Sequence, residues 1–169
     1  MLDVGCATGA HLRHVLEVAP GASAVGVEVD PAAAALARHS LMNGQVGHRA
    51  EIVQTDVERF LLERPGETFD FILLANAVYY IPVEDRVVFL RALADRLEKG
   101  GRLVVVTTTP MTDPFSRHFD FLLRSQEGAL ELPETQTLCE QLREAGLAPR
   151  EPRRIAAGQP LIAVVADRR

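Results

Sequence analysis

The sequence predicts an α/β fold, a three-layer sandwich in which helices cover both faces of a mostly parallel sheet. Two patterns carry that expectation. Short apolar runs alternate with helix-period segments from Met1 to about Thr109, and crossovers of that kind join parallel strands. Beyond them, two short apolar runs near the C-terminus leave no room for a helix between them, which predicts an antiparallel closing hairpin. With 169 residues, 47% of them hydrophobic and 24% charged, the chain reads as one globular domain over residues 1–169.

The elements follow in order. In "MLDVGCATGAHL", Leu2 and Val4 alternate with Asp3 as a strand, and Gly5 and Gly9 bracket a tight turn. Leu12, Val15, Leu16 and Ala19 then take up helical spacing. "GASAVGVEVD" is a second strand ending at Glu28, and Asp30-Pro31 is an N-cap with proline at the first position of a helix from about Pro31 to Met42. "AEIVQTD" is a third strand closed by Asp56. "FDFILLANA" is a fourth, apolar almost throughout because both faces are covered. Pro82 starts a helix with Val83, Val87, Leu90, Ala94 and Leu97 on one buried face, ended by Lys99-Gly100-Gly101. "RLVVVTTT" is a fifth strand. "PETQTLCEQLREAGL" is a helix ending at Gly146, and the runs 148–155 and 161–166 form the hairpin around "AAGQP".

A net charge of -5 argues against a nucleic-acid backbone as the main partner, with "APREPRR" the one basic candidate. Cys6 and Cys139 give neither a disulfide framework nor a metal spacing, which suits a reducing cytoplasm. No apolar run approaches the roughly 18 residues of a membrane span, and the N-terminus does not read as a signal peptide.

The chemistry-bearing residues fall at the C-terminal ends of successive strands, where parallel sheets bind ligands. The glycine turn lets backbone approach a ligand at a helix N-terminus. Glu28 can accept two ribose hydroxyls, and Asp56 an exocyclic amine. Together they describe a pocket for adenosine.

These segments resemble the class I S-adenosylmethionine-dependent methyltransferases. "LDVGCATG" is similar to that family's first motif, with Asp3, Gly5 and Gly9 in place and Ala7 where the middle glycine often stands. "VGVEVDPAAAALAR", "QTDVERF", "FDFILLANAVYYIP" and "LEKGGRLVVV" resemble its later segments in order. The resemblance implies a Rossmann-like sheet of seven strands in the order 3-2-1-4-5-7-6 with an antiparallel last strand. It implies S-adenosyl-L-methionine as cofactor, the loop from Gly5 through Cys6, Ala7 and Gly9 holding its methionine portion. It also assigns Glu28, with Val29 beside it, to the ribose, Asp56 and Val57 to the adenine, and Asn76 to the pocket. An NAD(P) site is disfavoured because "GCATGAHL" lacks the G-x-G-x-x-G pattern.

Each assignment has a plainer alternative. Asp3 either orients the glycine loop and the cofactor's amino group or merely ties the loop. Asp56 could cap the helix "VERFLLER" instead of meeting adenine. Cys139 reads as core, and Cys6 as a backbone contact. His11 and His14 lack a third ligand at compatible spacing, so no metal site is expected. Asn76 and Tyr79 match the two ends of the Asn-Pro-Pro-Tyr motif of enzymes that methylate amines of nucleic acids or proteins, yet both prolines are missing. The resemblance therefore favours a small-molecule acceptor, methylated by in-line displacement at the sulfonium. A base is needed only for a poor nucleophile such as a hydroxyl. Tyr79, Tyr80 and His118 are candidates, followed by Asp113 and Asp120. Phe115, Phe119, Phe121 and Leu122 could wall the acceptor pocket. A non-catalytic binding or assembly module is the rival reading. Members of the family usually carry some thirty or more residues before the first strand, including helices that close over the cofactor. Here that strand begins at Leu2, so the expectation is an N-terminally incomplete chain without those helices.

Overall fold

The computed structural model describes residues 1–42, 44–155 and 157–168. Its first half repeats one unit, a short strand whose C-terminal end feeds a helix. β1 (Leu2–Val4) leads to α1 (Ala10–Val18), β2 (Ala24–Glu28) to α2 (Pro31–Met42) and β3 (Ala50–Gln54) to α3 (Val57–Glu63). β4 (Phe69–Ala75), a 3₁₀ turn at Val78–Tyr80 and α4 (Arg86–Asp95) continue it. The chain then forms β5 (Leu97–Thr108), α5 (Pro114–Arg124), α6 (Thr135–Glu144), β6 (Leu147–Pro149), β7 (Arg153–Arg154) and β8 (Leu161–Arg168).

The strands form one sheet in the order β3-β2-β1-β4-β5-β8-β6, with β7 also paired to β8. Pairings from β3 to β5 are parallel, and β8 runs antiparallel to each of its neighbours. This is the predicted topology, with strand six in two pieces. The run 148–155 does not stay one strand: Ala148 faces Asp167 while Arg153 faces Ala163, a one-residue slip across Arg150–Pro152. Pro149 and Pro152 lack the amides a continuous ladder requires.

Side chains alternate across β1, so Leu2 and Val4 enter the larger core with Phe60 of α3, Leu90 of α4 and Leu138 of α6. Asp3 points to the opposite face, where Cys6, Leu12, Leu16 and Leu41 pack under α1 and α2. A third cluster joins Tyr79 to Leu123 of α5 and to Leu130 and Leu132. Gly26 makes the α1 layer possible. A Cβ there would lie 2.6 Å from Leu12 Cδ1 and 2.7 Å from Cys6 Sγ.

The helix expected from Pro82 to Lys99 is shorter at both ends. It begins at Arg86, whose buried guanidinium donates to the carbonyls of Ile81 (3.1 Å) and Glu131 (2.5 Å). It ends at Asp95, and Leu97 already pairs with Phe69 as part of β5. Lys99-Gly100-Gly101 is therefore an irregularity inside β5 rather than a helix cap. Gly100 has φ +79°, and a Cβ on Gly101 would sit 2.9 Å from the Glu98 carbonyl oxygen.

Candidate functional site

The glycine turn after β1 is held in an uncommon shape. Gly5, Ala7 and Gly9 all have left-handed backbone, with φ of +72°, +47° and +76°. For Ala7 that conformation costs on the order of 1 kcal/mol, which its neighbours must offset. The amides of Gly5 and Cys6 both donate to the Val27 carbonyl, at 2.9 and 3.0 Å. Ala7 N–H donates to Glu28 Oε2 at 2.8 Å, and Asp30 N–H donates to Glu28 Oε1 at 3.0 Å. Glu28 thus latches the loop after β1 to the loop after β2.

Above this latch lies a cavity of about 580 Å³, within the size range of small-molecule sites. Gly5, Cys6, Ala7, Glu28, Val29, Asp56, Val57, Asn76 and Tyr80 all line it, so the structure brings most of the sequence-predicted residues together. Asn76 has φ +53° at the end of β4, and a Cβ on Gly5 would lie 3.5 Å from Ala77 Cβ across the opening. Non-glycine residues in this conformation cluster at functional sites.

Four predicted residues lie elsewhere. Gly9 is buried between helices, where a Cβ would come 3.3 Å from Ala37 Cβ of α2. Its glycine serves the turn and the α1–α2 approach. Tyr79 is buried against Phe119, ring centroids 5.1 Å apart, and burial, then Tyr80, pushes its phenol up to about 12. His118 is exposed on α5, away from the cavity lining. Asp3 is fully buried and neither of its carboxylate oxygens has a partner among the described residues, so it does not tie the loop. Desolvation, then the Glu28 carboxylate, push Asp3 up to about 7.

The remaining base candidates are committed to structure. Asp113 caps α5, accepting from Ser116 N–H at 2.9 Å, and Asp120 accepts from Leu132 N–H at 2.9 Å. Asp56 caps α3 through Oδ1, which accepts from Arg59 N–H at 2.7 Å, while the residue still lines the cavity. Cys6 Sγ turns into the α1 layer, and burial first, then Asp3 and Glu28, push its thiol up to about 12. Phe115, Phe121 and Leu122 are exposed and lie outside the cavity lining. Among the described residues no group of three or more His, Cys, Asp or Glu side chains is placed to hold a metal ion.

Sequence reasoning missed His11, Thr55, Glu58, Ile81 and Phe89, all of which line the cavity. His11 was legible in principle, because the first turn of a helix after a glycine loop faces a ligand. Phe89 carries no such signal, since its place follows from how α4 packs.

The residues suit an adenosine-containing ligand on the structure's own terms. A carboxylate offers about four lone-pair sites, and two amides occupy one on each oxygen of Glu28, so two hydroxyls can still be accepted. Val29, Val57, Leu74 and Ile81 supply apolar surface for a flat ring.

Comparison with known proteins gives a family and a shared fold. A family model described as "Methyltransferase domain" matches residues 1–101. The chain is 29% identical over 148 residues to a carboxy-S-adenosyl-L-methionine synthase from Chromohalobacter salexigens, covering 83% of this chain and 53% of that protein. An O-methyltransferase family protein from Burkholderia thailandensis shares the fold with a TM-score of 0.83 at 22% identity, covering 99% of this chain and 50% of its own. The structure of PigF with SAH gives 0.81 at 22% identity, covering 99% of this chain and 49% of its own. The chain spans about half the length of these relatives.

Proposed function

The chain belongs to the methyltransferase-domain family, whose cofactor is S-adenosylmethionine, and from that premise we propose that residues 1–169 form a methyltransferase domain acting on a small molecule. The observation that carries the reading is the Glu28 latch under a cavity at the strand ends. Glu28 would take the ribose hydroxyls, Val29 and Val57 the adenine faces, and Asp56 Oδ2 the exocyclic amine, with the Gly5–Ala7 loop alongside the amino-acid tail. When bound, the cofactor would supply an electrophilic methyl group on a sulfonium for an acceptor held beside it.

This chain's residues contribute position and dryness. The apolar walls from Leu74, Ala77, Ile81 and Phe89 give a bound ligand a poorly hydrated face, and partial desolvation strengthens attack by a neutral nucleophile. Tyr80, half-exposed at the cavity and braced edge-on by Tyr79 at 4.8 Å, presents its ring where an acceptor would enter. Burial of Tyr79 away from the cavity lends no support to amine methylation through an Asn-x-x-Tyr grip. No helix among the described residues is long and apolar enough to cross a membrane, and the two free buried cysteines fit the reducing cytoplasm proposed here.

Calorimetry with S-adenosylhomocysteine tests the cofactor site, and methyl release from labelled S-adenosylmethionine with a panel of small acceptors tests the reaction. Absence of binding would refute the reading. Binding without transfer to any acceptor would favour a binding module.

A further inference from the structure

The charges lining the cavity are sorted by position. Glu28 from the end of β2, and Asp56 and Glu58 from the start of α3, place three acids on the side assigned to the nucleoside. On the first turn of α1, His11 is the one lining side chain among the described residues that can carry positive charge. It is exposed, and it sits at the helix end whose partial charge is positive. Cys6 and Tyr80 are the other titratable groups on the lining, and Arg13 and His14 share its helix, with Arg13 drawn to Glu17 at 3.7 Å.

The cofactor proposed above carries a zwitterionic amino-acid tail. With its nucleoside among the acids, the tail's carboxylate is repelled from Glu28 and Asp56 and is best matched by a cationic group in the same cavity. We infer that His11 is that group: its ring N–H receives the carboxylate of the cofactor's amino-acid tail, making His11 a specificity residue for ligands that keep the tail. This rests on the cavity being the S-adenosylmethionine site. It also explains a histidine that neither the metal reading nor the base candidates used.

Two ligands separate the inference from the reading beneath it. S-adenosylhomocysteine has the tail, and 5′-methylthioadenosine has the same nucleoside and thioether without it. Titration calorimetry measures the affinity of both ligands for wild type, His11→Ala and His11→Arg. The expected result is an approximately tenfold loss of S-adenosylhomocysteine affinity in His11→Ala, with 5′-methylthioadenosine unchanged. His11→Arg should keep the wild-type affinity for S-adenosylhomocysteine. Parallel weakening of both ligands, or no effect of His11→Ala, overturns the inference. Failure of both ligands to bind the wild type overturns the cofactor reading and this inference with it.

Discussion

Asp3 is the most informative residue to perturb, because the sequence gives it a role in binding whereas the structure leaves it buried without a hydrogen bond. Its carboxyl is raised from 3.8 to about 7, first by desolvation and then by Glu28. The sign follows directly. Below 3.8 both folded and unfolded chains hold the proton, and Asp3 exerts no pH-dependent effect. As pH rises above that value the unfolded chain releases the proton while the folded chain keeps it, so stability falls until the folded carboxyl also ionises near 7. At about 1.4 kcal/mol per unit, the loss between pH 5 and pH 8 is about 2.5 kcal/mol. Asp3→Asn removes this titration. The stability of the variant relative to wild type should therefore improve by about 2.5 kcal/mol between those two pH values, whatever the offset at pH 5. In thermal terms that is about 5–10 °C for a domain of this size. Urea unfolding of both proteins, followed by circular dichroism across that range, measures the difference, and titrations that do not couple to Asp3 cancel in it. Parallel stability profiles would refute a buried, unpartnered Asp3.

Three other substitutions test the packing and the latch. Glu28→Ala should weaken S-adenosylhomocysteine binding by at least about tenfold in calorimetry, because it removes both the ribose acceptor and the partner of two loop amides. It should also speed hydrogen exchange at the Ala7 and Asp30 amides without ligand. Gly26→Ala forces a methyl within 2.9 Å of Leu12, Cys6 and Ile52 side-chain atoms. The expected cost is about 1–3 kcal/mol in urea unfolding, and an unchanged midpoint would contradict the packing of α1 on the sheet. Arg86→Met fills similar volume but strands the Ile81 and Glu131 carbonyls, for an expected loss of about 3 kcal/mol by the same measurement.

The parts of the fold legible in the sequence were those with local causes. Asp30 before Pro31 announces a cap, and Ala33 N–H does donate to Asp30 Oδ1 at 2.7 Å. The parallel order could be read because each strand's apolar run is followed by a helical period. Where two local signals competed, distance decided. Leu97 fits the helical spacing of α4, but its strand partner Phe69 lies far away in sequence, and pairing with it draws the chain into β5. Tyr79 and Tyr80 are adjacent aromatics with no local difference. The packing of α5 through Phe119 and Leu123 buries one and leaves the other on the cavity.

The same reasoning limits how far a glycine motif identifies a site. Of the two motif glycines, Gly5 faces the cavity and Gly9 faces Ala37, so a shared pattern serves two different physical needs. Glu28 resolves what the glycines leave open. Its carboxylate holds Ala7 in a costly conformation before any ligand arrives, and still presents free lone pairs to the cavity. A loop already set in shape costs less ordering on binding, so part of the affinity attributable to Glu28 is carried by the backbone it positions rather than by its own contact with the ligand.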